Sequence, residues 1–261
     1  MSEFIQTTLD DRGVFEVRLN RPEVHNAFND QLISDLTEVF TKASVDNDVR
    51  IIVLTGTGKS FCAGADLNWM KSMKDYSESE NFEDSLKLSL LFKTINECQK
   101  VVVGKINGHA LGGGVGLVSV CDFVITHDKA KFGFTETRLG LIPAVISPFC
   151  INKIGESNAR AWFLSGERFD ARKAESIGLV HSVVELESFE VKTSEVIDSH
   201  LMAARDAASQ AKELISQVIK LDNKAVEDYT CKAIAYKRIS DEGQEGMNAL
   251  LEKRKPNWIK K

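Results

Sequence analysis

The residues of this chain best suited to chemistry are one glutamate and two small-residue turns. Glu136 closes Phe132-Gly133-Phe134-Thr135-Glu136, just before the turn Leu139-Gly140-Leu141-Ile142-Pro143. A carboxylate set between apolar segments is costly to bury, so Glu136 is a surface residue, a paired structural residue or a general acid/base. Gly112-Gly113-Gly114-Val115-Gly116 follows an apolar run and opens a helical stretch. Consecutive glycines there let backbone approach a ligand, and the first N–H groups stay unpaired at the positive end of the helix. Phe61-Cys62-Ala63-Gly64-Ala65-Asp66-Leu67 is a second such turn. One amide from each turn could bracket a carbonyl oxygen and stabilise it as it gains negative charge. The alternative is two tight turns packed for space.

Other chemistries lack their residues. Thr55-Gly56-Thr57-Gly58-Lys59-Ser60 has the tail of a phosphate-binding loop, but Val53 stands where that loop needs its first glycine. The triple glycine does not have dinucleotide spacing, and no acidic ribose-binding residue follows a second strand, which argues against a nicotinamide cofactor. His25, His109, His127, His181 and His200 form no pair at metal-ligand spacing, so no metal is expected. There is no nucleophile elbow for serine chemistry.

The elements that must position these residues follow from periodicity. Phe15–Leu19 alternates like a half-buried strand, and Ile51–Leu54 is a continuous apolar run ended by Gly56. Val101–Ile106, Phe123–Ile125, Lys131–Phe134 and Leu179–Val184 are further strands. Phe28, Leu32, Leu36, Val39, Phe40 and Ala43 recur at helical spacing from Asn26 onward. Residues 77–97 are helical with Leu86, Leu90, Phe92 and Ile95 on the apolar side, and a short helix spans 115–121. Helices take over from Pro143; Asp170 caps one over Ala171–Ile177 before Gly178. Two long helices, 198–219 and 225–252, close the chain. The alternation predicts an α/β core over residues 1–195 and a helical region over 196–261.

Composition bounds the setting. The chain has 261 residues, 43% hydrophobic and 27% charged, with a net charge of -5, which argues against nucleic-acid binding. Five scattered cysteines suit buried thiols in a reducing compartment. The start Met1-Ser2-Glu3-Phe4-Ile5-Gln6 has no leader pattern, and no apolar stretch approaches the ~20 residues of a membrane span. A cytoplasmic location is the expectation.

Taken in order, the turns resemble the crotonase (enoyl-CoA hydratase/isomerase) family. The match is carried by Leu19-Asn20-Arg21-Pro22 with Asn26-Ala27, by Phe61–Leu67, by Asn107-Gly108-His109-Ala110-Leu111-Gly112-Gly113-Gly114, by Cys121-Asp122, by Glu136–Pro143, and by Glu245-Gly246-Met247 to Lys253-Arg254-Lys255-Pro256. The resemblance implies a spiral of ββα turns, a helical C-terminal trimerisation region giving a homotrimer or dimer of trimers, and an acyl-coenzyme A thioester ligand. No cofactor is implied beyond the coenzyme A of the substrate. Carried over by position, the oxyanion hole is the amides of Ala65 and Gly113, and Glu136 is the acid/base. Glu23, Val24, Ala63, Asp66, Leu67 and Gly112 resemble the cradle of the thioester, and the resemblance puts Lys253 and Lys255 toward its phosphates from a neighbouring subunit.

One departure stands out. Typical hydratases of this family carry a second glutamate where this chain has Gly116. Either Glu136 alone moves both protons of hydration, or another group helps it; an isomerase needs only one such base. Ala65–Lys71 and Leu141–Pro148 resemble the bacterial methylglutaconyl-CoA hydratase group, which implies a 3-methylglutaconyl thioester in leucine breakdown, with Arg138 as a candidate partner for a distal carboxylate. The rival readings are an enoyl-CoA delta-isomerase and a non-catalytic scaffold that binds acyl-CoA or RNA.

Overall fold

The computed structural model describes residues 3–259; Met1 and Ser2, the start of the N-terminal stretch read above, lie outside them. Strands β1 (Ile5–Leu9) and β2 (Val14–Leu19) form an antiparallel hairpin. Helix α1 (Asp30–Val45) follows, its first turn capped by the Asn29 side chain accepting from Leu32 N. The chain then repeats one pattern: a long strand enters a large sheet, a short strand enters a small one, and a helix returns. β3 (Ile51–Gly56) and β4 (Ser60–Cys62) lead to α2 (Leu67–Ser72) and α3 (Glu78–Asn96). β5 (Val101–Ile106) and β6 (His109–Leu111) lead to α4 (Gly113–Ser119). β7 (Phe123–His127) and β8 (Lys131–Gly133) lead to a 3-10 turn at Thr135–Leu139 and to α5 (Ser147–Ser165).

The chain ends with β9 (Arg168–Asp170), α6 (Ala171–Ser176), β10 (Ser182–Val184), α7 (Phe189–Leu201), α8 (Arg205–Lys220), α9 (Asn223–Ile239) and α10 (Asp241–Leu251). The large sheet runs β1-β2-β3-β5-β7-β10 and the small one β4-β6-β8-β9. Pairing is parallel except at the edges β1–β2 and β8–β9. All six residues of β3 are buried, as a strand covered on both faces requires.

Several expectations change. The expected 198–219 helix is interrupted between Leu201 and Arg205, and the expected 225–252 helix is two, divided where Ser240 caps a new first turn by accepting from Gly243 N. α7 starts earlier than the residue-198 boundary and ends at Leu201. On α3 the buried side is Leu91, Phe92 and Ile95, whereas Leu86 and Leu90 are exposed. Four cysteines are buried, but Cys231 is exposed. Among the described residues, no helix is long and apolar enough to cross a membrane.

Candidate active site

The two small-residue turns meet because the segment after β2 holds one of them in place. Asn26, fully buried with φ 56°, accepts from Arg21 N and donates its amide to Thr57 O and Ser60 O at 2.9 and 2.8 Å. Arg21 reaches Ala27 O and the Asp66 carboxylate at 2.6 and 2.8 Å. Phe28 N donates to Gly64 O and Asp66 N to Phe28 O, a short parallel bridge that leaves the Ala65 N–H unused. Gly64, at φ +91°, brings this turn against the second: a Cβ there would lie 3.1 Å from Leu111 O and 3.6 Å from Gly113 N. A Cβ at Gly114 would lie 2.2 Å from Cys62 O, so only glycine permits that approach.

Gly113 is the first residue of α4, whose leading N–H groups have no acceptor within the helix. Among the described residues, neither the Ala65 nor the Gly113 N–H donates to an acceptor of the chain. Both residues line a cavity of about 370 Å³ together with Gly112 and Glu136. Its other walls are mainly apolar, including Phe28, Trp69, Leu88 and Ile142.

Glu136 enters from the 3-10 turn and lies close to the glycine backbone: a Cβ at Gly112 would be 3.3 Å from Oε1. Its Oε2 is buried without a partner. Burial pushes the carboxyl above its ordinary range, with only the residue's own backbone N–H acting in the other direction. Such a group is a stronger proton acceptor than a free glutamate and can take up and return a proton. Two free amides beside it can polarise a carbonyl oxygen.

A larger cavity, about 700 Å³, lies between the β1–β2 hairpin and the C-terminal helices. Its arginines already serve the chain: Arg50 bonds Leu201 O and Trp258 O, Arg205 bonds Asn47 O, and Arg12 pairs with Asp198. The Glu136 cavity is therefore the candidate site.

The enoyl-CoA hydratase/isomerase family model matches residues 10–261. The chain belongs to this family. A crystal structure from Legionella pneumophila, described under the enoyl-CoA hydratase/isomerase (crotonase) name, superposes with a TM-score of 0.92 at 41% identity, covering 99% of this chain and 100% of that one. Pseudomonas aeruginosa AtuE is similar at a TM-score of 0.95 and 31% identity, over 99% and 100%. Enoyl-CoA hydratase AKT6-1 of Alternaria alternata is 37% identical over 211 residues, 79% of this chain and 67% of that protein. The spiral of ββα turns is thus the crotonase fold.

Within that fold the position of the family's second glutamate is closed. A Cβ at Gly116 would lie 2.4 Å from Ile146 Cγ2 and 2.8 Å from Phe92 Cε1 and Cζ. The Ala144-Val145-Ile146 segment lines the cavity, and Ile146 fills the space that a longer residue at 116 would need. Phe92 is fully buried and packs edge-on to Phe28 at 6.2 Å between centroids.

The remaining candidates separate. Leu67 lines the cavity, as do Trp69 and Met70. Asp66 does not; it is buried, caps α2 and pairs with Arg21, and although burial opposes it, the bonds from Asn68 N and Arg21 hold its carboxyl below the usual range. Ala63 bonds His25 O, and Glu23 and Val24 form a 3-10 turn beside it, off the cavity wall. Arg138 faces a neighbouring cavity. Lys253 follows α10, away from this wall, at φ 54°. Sequence reasoning missed Asp84, a half-buried acid of α3 that also lines the cavity. Burial and the nearby Asp30 raise its carboxyl, with Lys87 opposing. An acid seven residues before the buried Leu91, on the same helix face, was the available signal.

Proposed function

We propose that the chain is an enoyl-CoA hydratase, adding water across the double bond of a 2-enoyl thioester. The observation that carries the reading is the meeting of two unpaired amides, Ala65 and Gly113, with the buried Glu136 carboxylate on one apolar cavity. In this reading the amides hold the thioester oxygen. Glu136 removes a proton from water as the oxygen adds at Cβ, the electron pair of the double bond moves to the thioester as an enolate, and Glu136 returns the proton to Cα. The site needs no cofactor beyond the coenzyme A of the substrate.

The finer substrate in this proposal is 3-methylglutaconyl-CoA, supported by the Ala65–Lys71 and Leu141–Pro148 motifs. Delta-isomerisation is the second reading, favoured by the closed space at Gly116, because one base suffices to move a proton between carbons. A panel of 3-methylglutaconyl-CoA, crotonyl-CoA and a 3-enoyl-CoA, read by product mass, separates them: hydration adds one water, isomerisation adds none. Migration without any addition would exclude the hydratase.

The proposal extends to assembly, with residues 196–261 as the oligomerisation region of a homotrimer or dimer of trimers. Its support is exposed apolar surface: Ile215 and Ile219 on α8, Ile239 on α9, Leu250 and Leu251 on α10. Sedimentation of the native chain tests it; a monomer at micromolar concentration would count against it. Lys253 and Lys255 belong to this proposal as phosphate contacts across that interface.

A further inference from the structure

Two arginines line a cavity that adjoins the acyl cavity. Arg138 stands two residues after Glu136 on the same 3-10 turn, and Arg168 opens β9 opposite Gly133 of β8. With Thr135 and Leu139 they line a cavity of about 470 Å³. Thr135 and Leu139 line the acyl cavity as well, so the two spaces share a wall. Glycine at 133 permits this placement, since a Cβ there would lie 3.3 Å from both Cα and Cγ of Arg168.

Among the described residues, neither arginine has an acidic partner. Arg138 packs its Cγ over Gly166 and donates Nε to Ser165 O at 3.2 Å, while Arg168 makes no side-chain hydrogen bond or ion pair among the described residues. The local field is positive: after burial, the charges of Lys131 and Arg168 help hold His109 below its ordinary range. The acyl cavity has the opposite character. Its charged residues are Glu136 and Asp84, with no cation on its wall. An acyl group that carries a negative charge is therefore repelled inside the cavity and attracted past Thr135 and Leu139.

We propose that Arg138 and Arg168 form a carboxylate subsite, which takes the free carboxylate of an acyl group whose thioester lies at Ala65 and Gly113. Guanidinium forks match carboxylate geometry, and a like-charged pair without acids is stabilised when an anion joins it. The inference rests on the enoyl thioester reading of the site. A carboxylate side chain from a second copy of this chain has the same chemistry, and the experiment distinguishes the two sources.

The test measures kcat/KM for 3-methylglutaconyl-CoA and crotonyl-CoA in the native enzyme, Arg168→Gln, Arg168→Lys and Arg138→Gln/Arg168→Gln. The preference for the dicarboxylic substrate is expected to fall about tenfold in Arg168→Gln, further in the double variant, and less in Arg168→Lys. A preference that stays within about twofold in all three overturns the subsite. Calorimetry with glutaryl-CoA and butyryl-CoA, neither of which has a double bond to hydrate, repeats the comparison without turnover. An Arg168-dependent preference for glutaryl-CoA in an enzyme that hydrates nothing keeps the subsite and removes the hydratase reading. Hydration with no Arg168-dependent preference does the reverse. A changed oligomeric state in Arg168→Gln with the preference intact assigns the arginines to a second copy and overturns the proposal.

Discussion

Gly113 and Gly116 stand three residues apart on one short helix and border different spaces. Gly113 lines the open cavity with its N–H donating to no acceptor among the described residues, with the Glu136 carboxylate close by at Gly112 and the Phe28 ring 3.0 Å from where a Cβ would stand. At Gly116 the missing side chain makes room for Ile146 and Phe92, which close the space. Both glycines admit an aromatic ring, but only Gly113 also borders the cavity. The difference decides how many carboxylates the site can hold at this helix, and it explains why Glu136 stands there without the second acid usual in the family.

The polar end is where the largest effect is expected. Glu136→Gln keeps the volume and removes the proton carrier, so turnover should fall by about 10² to 10⁴-fold while calorimetric affinity for a saturated acyl-CoA stays within about threefold. The pH profile sharpens the same claim. Because burial raises the carboxyl above the 4.5 of a free glutamate, its base form is lost as pH falls through that raised value, and kcat/KM should fall with it. An acidic limb at the free-glutamate value would contradict a desolvated base. The stability sign follows: a carboxyl raised in the folded state destabilises as pH climbs from the unfolded through the folded value. Glu136→Gln should therefore melt higher than the native chain at neutral pH, with the difference vanishing in acid.

Gly114→Ala attacks the amide pair through its support. The added Cβ meets the Cys62 carbonyl at 2.2 Å, so the two turns must move apart. The expected outcome is a fall in kcat of about 10²-fold, the effect of one lost oxyanion donor, together with a lower Tm. At the apolar end, Gly116→Ala should destabilise by about 1–3 kcal/mol by overpacking against Ile146 and Phe92. Adding Ile146→Ala should recover part of that loss, because the two sites touch; chemical denaturation of the four-member cycle reads the coupling. Additive effects would mean that Ile146 does not close the space.

The sequence was legible where one residue's type carries the signal by itself. The apolar run Ile51–Leu54 is a buried strand, Asp170 caps α6 by accepting from Lys173 N, and Gly178 ends the same stretch at φ +79°. Glu136 and the two glycine turns were visible for the same reason. What depends on partners distant in the chain was not. β4, β6 and β9 have three residues each, too few for a period to show. The closure at Gly116 joins residues 92, 116 and 146 from three elements, and Phe92 read only as one apolar position of a helix. Arg21 and Asn26 belonged to a recognisable motif, yet their work in holding the Ala65 turn depends on Asn26 adopting φ 56°, which no pattern of residue types displays. The breaks before α8 and α10 were missed, because the stretches 198–219 and 225–252 each read as one continuous helix.

The central claim is that one glutamate, beside two free amides, carries both proton transfers of hydration. Its most direct test is the product mass formed from crotonyl-CoA by the native enzyme and by Glu136→Gln under identical conditions. The account predicts a gain of one water with the native enzyme and almost none with the variant. Undiminished water addition by Glu136→Gln would contradict it.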